Sequence, residues 1–199
     1  TAGIGFCLAP RYHPAFRFAA PSRREIGIPT VFNMLGPMAN PGRVKRQLIG
    51  VANPGVAERM LASLRLHGSH RAWVVHGNGL DELTTTGPST VLALEDDTVR
   101  SFTVDPMALG LAPAIMDELV GGTPDVNAEV VRRVMGGQHG AHRNIVVLNA
   151  AAALVVAGVA DSLEAGLVLA TDSIDSGKAA ATLARFVEVS QQAAEEFGH

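Results

Sequence analysis

At 199 residues, 47% hydrophobic and 18% charged, the chain is long enough to bury one sizeable core and too apolar to be disordered. Its 16 basic residues against 19 acidic ones give a formal net charge of −3, which argues against a broad nucleic-acid-binding face. Cys7 stands alone, so no disulfide framework exists, and the longest apolar stretch, residues 145–159, is interrupted by Asn149 and short for a membrane span. A soluble, cytoplasmic, single-domain protein is expected.

The sequence opens at Thr1 without a methionine and runs at once into GIGFCL, residues 3–8, an apolar run that reads as a strand with Cys7 buried in it. A compact α/β domain rarely begins flush with its sheet, which predicts a piece of a longer polypeptide. A loop follows over residues 9–14, then a helical segment restarted at Pro21 as a first-turn proline. Residues 29–41, PTVFNMLGPMANP, hold three prolines and a glycine, which predicts a well-packed loop with at most short helical turns. Residues 48–52 form a buried-strand candidate, and Pro54 opens a helix with Val56, Met60, Leu61 and Leu64 at helical spacing and Gly68 as its stop. A second buried strand covers residues 72–75. Residues 91–95 and 98–104, separated by Asp96 and Asp97, read as a hairpin at one edge. Helices are predicted at 113–120, 125–135, 142–157 and 161–196, the last breaking near Gly177, with Thr123 and Asp161 as N-caps. The fold class is α/β, mostly parallel with flanking helices, a small antiparallel excursion and a helical C-terminal third.

The chemistry concentrates in HGNGLDELTTT, residues 76–86. A strand ends there in a glycine-rich turn, and the carboxyl end of a strand is where an open α/β sheet binds ligands. Asp81 and Glu82 follow directly. On a strand adjacent side chains point to opposite faces, but on a loop two carboxylates can converge on one hard cation; magnesium suits oxygen ligands and bridges them to phosphates. Exposed acidic pairs are also common on loops, so a solvated pair is the ordinary alternative. Arg23 and Arg24 sit about 100° apart on a helix, so at most one easily faces a pocket, where it would clamp a carboxylate or phosphate; two surface arginines beside Glu25 are the plain alternative. His13 is either a pocket-lining ring or a surface residue. His139 and His142 lack a third ligand for zinc, and residues 76–83 and 176–179 lack the full dinucleotide and P-loop patterns.

Four blocks in order, APRYHPAFRFAAPSRREIGIPTVFNMLGPMANP, QLIGV, VVHGNGLDELTTTGPS and VLNAAAAL, closely resemble the second half of the anthranilate phosphoribosyltransferase family. That resemblance implies a catalytic α/β domain of the nucleoside phosphorylase and phosphoribosyltransferase type, of which residues 1–199 form the C-terminal major portion. The small helical domain and the glycine-rich phosphate loop are then expected to precede residue 1. It implies transfer of a phosphoribosyl group from phosphoribosyl pyrophosphate to anthranilate in tryptophan biosynthesis, by a magnesium-dependent enzyme that is a homodimer when full-length. Asp81 and Glu82 are implied to hold Mg2+, Arg23 to meet the anthranilate carboxylate, and Pro10, His13 and Phe16 to line the anthranilate channel. No general acid or base is implied, and the 199 residues alone are expected to be inactive. A pyrimidine-nucleoside phosphorylase of the same fold would carry a serine and paired lysines where Thr30 to Asn33 stand. A nucleic-acid-binding paralogue without catalysis would have a basic groove and no acidic pair.

Overall fold

The computed structural model describes residues 2–28, 30 and 32–197, with the backbone alone at 10, 23, 32–34 and 197. Eight helices and four strands follow one another in the described chain: α1 (Ala9–Tyr12), α2 (Phe16–Ile26), α3 (Phe32–Met38), β1 (Arg46–Gly50), α4 (Ala57–Leu66), β2 (Arg71–Gly77), β3 (Ser89–Glu95), β4 (Thr98–Val104), α5 (Pro124–Met135), α6 (Ala141–Ala157), α7 (Leu163–Asp175) and α8 (Lys178–Phe197). Short 3-10 turns at Pro54–Val56 and Met116–Glu118 complete the set.

The strands form one sheet in the order β1-β2-β3-β4. β1 and β2 run parallel, with Arg46 opposite Arg71 and Gly50 opposite Val75, whereas β2–β3 and β3–β4 are antiparallel. The α/β class therefore holds and the sheet is mixed rather than mostly parallel. The difference arises at the front, where residues 3–8 join no strand. Ile4, Phe6 and Leu8 are exposed, Phe6 at 72%, and Cys7 is exposed too. An apolar run can make a strand only where a neighbour takes its backbone hydrogen bonds, and none of the described elements does so here. Two further expectations change in detail. α2 runs straight through Pro21 instead of restarting there, and residues 9–12 form the short helix α1 within the expected loop. α3 occupies seven residues of the proline-rich stretch, of which Pro29 and Val31 lie outside the described residues. Residues 113–120 hold only the 3-10 turn, and Ser162 rather than Asp161 caps α7, its side chain accepting from Ala165 N at 3.2 Å.

Both faces of the central strands are covered, which is why β2 reads as an unbroken apolar run instead of an alternating one. Alternate residues still go to opposite sides. Trp73 and Val75 pack with Leu148, Ala152, Val155 and Val156 of α6. Ala72 and Val74 pack with Met60, Leu61 and Leu64 of α4 on the other face. α7 then lies on α6, and Val134 of α5 joins Val147, Ala170 and Ile174 in a third cluster. The α6 layer holds the loop after β2 against the end of the sheet.

Candidate metal and substrate site

Beyond Gly77 the chain reverses in two residues. Asn78 and Gly79 both take positive φ, 46° and 88°, the handedness of a tight hairpin turn that Asn-Gly favours. Gly77 and Leu80 exchange backbone hydrogen bonds across it, Gly77 N to Leu80 O at 3.1 Å and Leu80 N to Gly77 O at 2.8 Å. Asp81 and Glu82 come back over the carboxyl ends of β1 and β2. They pass so close that a Cβ built on Gly50 would lie 1.4 Å from the Asp81 carbonyl oxygen, and one on Gly77 would lie 2.5 Å from that of Glu82. Glycine at both strand ends is therefore a condition for seating the loop, since any side chain would displace it.

The three threonines turn out to be fasteners. Thr84 N donates to Ser89 Oγ at 3.0 Å, Thr86 N donates to Thr84 Oγ1 at 3.1 Å, and Asn78 Nδ2 donates to Thr86 Oγ1 at 3.1 Å. Thr85 O accepts from Ala114 N at 3.0 Å. Thr84 and Thr85 are fully buried. His76 places Nδ1 2.8 Å from Val51 O, and because a carbonyl can only accept, the proton sits on Nδ1. From the helical side, Asn149 of α6 reaches the loop: its Oδ1 accepts from Leu83 N at 3.0 Å, and its Nδ2 stands 2.7 Å from Leu83 O and 3.3 Å from Glu82 Oε2.

On this frame Asp81 is exposed and Glu82 is half-buried. Burial, and after it the neighbouring charge of Asp81, push the Glu82 carboxyl above the usual glutamate range. A cation bridging the pair would relieve both penalties. Among the described residues no group of three or more His, Cys, Asp or Glu side chains gathers around one point. Two adjacent carboxylates open to solvent suit an ion that keeps waters and takes phosphate oxygens, which is magnesium chemistry more than zinc chemistry. Behind Glu82 lies an apolar cavity of about 410 Å³ walled by Leu80, Met116, Leu119, Val134 and Ile145, with His142 at its edge.

Of the remaining expected site residues, His13 and Phe16 lie elsewhere. His13 and Phe16 are half-buried and stacked, ring centroids 5.0 Å apart, and His13 Nε2 donates to Ala39 O at 2.6 Å. His13 borders a groove with Asn40, Arg43, Lys45, His67 and Ser69, at the amino end of β1. Asp81 crosses Gly50 at the carboxyl end of that strand, four residues or roughly 13 Å farther on. The two groups are not brought together. Pro10 lies on α1 and Arg23 on α2, and their side chains fall outside the described residues.

Comparison with known proteins bears on the whole chain. A profile of the "Glycosyl transferase family, a/b domain" matches residues 1–180. The chain belongs to this glycosyl transferase family. An anthranilate phosphoribosyltransferase of Methylorubrum populi is 50% identical over 190 residues, which are 95% of this chain and 56% of that protein. One from Agrobacterium fabrum is 48% identical over 192 residues, again covering 56% of its length. The chain thus spans little more than half of the relatives it matches. Among solved structures, anthranilate phosphoribosyltransferase from Thermus thermophilus superposes with a TM-score of 0.87 at 37% identity, covering 94% of this chain and 56% of that one. The Saccharomyces cerevisiae enzyme in complex with PRPP and Mg gives 0.81 at 26% identity, covering 88% of this chain and 51% of that one. Within the glycosyl transferase family, then, this chain supplies the sheet and the β2 loop, and α6 supplies an anchor in Asn149. Asn149 is the single polar side chain in the apolar run 145–159, and that is the signal by which it could have been found.

Proposed function

We propose that residues 1–199 form the larger part of the catalytic domain of an anthranilate phosphoribosyltransferase, which moves a phosphoribosyl group from phosphoribosyl pyrophosphate to anthranilate and releases pyrophosphate. The small helical domain and the phosphate loop belong to residues ahead of this stretch, and the whole protein is a cytoplasmic homodimer. The observation that carries the reading is the Asp81–Glu82 pair, seated over the carboxyl ends of two parallel strands by Gly50 and Gly77. The relatives' names support the substrate assignment.

Cleavage of the bond between sugar and pyrophosphate builds negative charge on the leaving group, and Mg2+ held at this loop would supply Lewis-acid stabilisation of that charge. Asp81 and Glu82 would hold the ion and thereby fix where the pyrophosphate sits. Glu82 is half-buried whereas Asp81 is exposed, so the contact of Glu82 with the ion would be the less screened of the two. The attacking group is an aromatic amine, already neutral at physiological pH, so no strong base is required and orientation dominates. Arg23 meets the anthranilate carboxylate, and Pro10, His13 and Phe16 line the approach once the α1–α2 segment packs beside the sheet.

Asp81→Asn in the full-length enzyme tests this. Because Asp81 is exposed, the melting temperature should stay within a degree or so of wild type, while turnover should fall on the order of ten-fold or more and the Mg2+ requirement should rise. Unchanged turnover and unchanged Mg2+ dependence would remove the metal role.

A further inference from the structure

Asn149 lies in the middle of α6, within a stretch otherwise built of Ile, Val, Leu and Ala. A polar side chain there is costly unless its hydrogen-bonding groups are used. They are. Its amide grips Leu83 from two sides, Oδ1 accepting from Leu83 N at 3.0 Å and Nδ2 donating to Leu83 O at 2.7 Å, as a neighbouring strand would. One Nδ2 hydrogen remains for two acceptors: Ile145 O at 3.0 Å, one turn back on the helix, and Glu82 Oε2 at 3.3 Å. Leu83 is fully buried, so without Asn149 its N–H and C=O would lose these partners away from water.

We propose that Asn149 is a positioning residue for the metal-holding carboxylate: it locks the backbone directly after Glu82 and holds Glu82 Oε2, leaving Oε1 and Asp81 to face the cation. This rests on the metal reading given above. Asn149 is not assigned as a ligand, because its oxygen faces Leu83 N and the atom it turns toward Glu82 is the nitrogen, which can only donate. Partners of this kind orient metal ligands, and losing one typically weakens binding about 10- to 100-fold.

The test uses Mn2+ in place of Mg2+ on the full-length enzyme with phosphoribosyl pyrophosphate present, binding being read by electron paramagnetic resonance independently of turnover. Asn149→Ala should raise the Mn2+ dissociation constant by about 10- to 100-fold. Glu82→Gln should weaken binding as well, and adding Asn149→Ala to it should change affinity by less than about two-fold, since the effect passes through Glu82. If Glu82→Gln weakens Mn2+ binding and Asn149→Ala does not, or if the two losses simply multiply, the positioning role is overturned and the metal reading stands. If Glu82→Gln and Asp81→Asn both leave Mn2+ binding intact, the metal reading fails and takes the inference with it. Should Asn149→Ala not fold, the wild-type side-chain amide serves instead. Its 15N–1H resonances should shift on adding Mg2+ and stay fixed in Glu82→Gln, and an unmoved wild-type signal overturns the proposal.

Discussion

Glu82 and Gly50 show how little freedom single residues have around this loop. The Glu82 carboxyl titrates above its ordinary value of 4.5, because burial and then Asp81 disfavour its charge. A carboxyl whose folded pKa is raised binds more protons in the folded state than in the unfolded one. Its contribution is therefore fully present at low pH and is lost as pH rises from about 4.5 through the folded value. The metal-free protein should lose stability over that window, and Glu82→Gln should not. At pH 7 in the presence of a chelator, thermal melts should place Glu82→Gln above wild type, and the gap should close below about pH 4. Gly50→Ala has a steric origin instead. The new methyl group would overlap the Asp81 carbonyl oxygen, a backbone atom that cannot rotate aside. A loss of about 1–3 kcal/mol or more in urea denaturation is expected, with a higher Mg2+ requirement because the loop must lift.

Between elements, the contact that sets the position of α6 is its crossing with α7. A Cβ on Gly166 would stand 2.8 Å from Ala151 O and 3.0 Å from Ala151 Cβ, so the two helices meet almost backbone to backbone. Their far ends are joined by Arg143, only 4% exposed, which pairs with Asp175 at 2.7 Å and donates to Gly137 O at 3.0 Å. That guanidinium holds the Asp175 carboxyl below the usual aspartate range. Since α6 carries Asn149, its placement fixes the β2 loop from the side opposite the strands. Gly166→Val should push α7 outward at a cost of about 1–3 kcal/mol, read as a lower denaturant midpoint with an unchanged m-value. If the midpoint stays put, the close crossing is not as described.

Over the whole molecule, the sheet with α4 and α6 is a packed unit, while the front segment is loosely attached. Phe6 and Phe18 are each 72% exposed, Ile26 and Ile28 are also exposed, and His13 sits at the far end of β1 from Asp81 and Glu82. His13, with Phe16 stacked on it, and the acidic pair are thus apart. The 199-residue chain expressed by itself should show no anthranilate-dependent turnover in a direct assay, and any measurable rate would refute this. Much of the packed unit was legible in the sequence. Unbroken apolar runs marked β1 and β2, Asp96 and Asp97 marked the hairpin turn, and 3.6-residue spacing marked α4 through α8, because these patterns report local geometry. The acidic pair and its strand-end placement were legible for the same reason. Residues 3–8 form no strand despite their apolar run, because such a run alone does not say whether a neighbouring backbone is there to pair with it. Asn149 lies 66 residues beyond its partner Leu83, and Gly50 lies 31 before Asp81. Sequence spacing carries no record of such meetings. Residue type and periodicity thus determined the strands and helices of the packed unit and where two neighbouring carboxylates stand in the chain. Only tertiary packing decided which glycine yields to which carbonyl and which amide holds the carboxylate, since close approach is a property of distance in space.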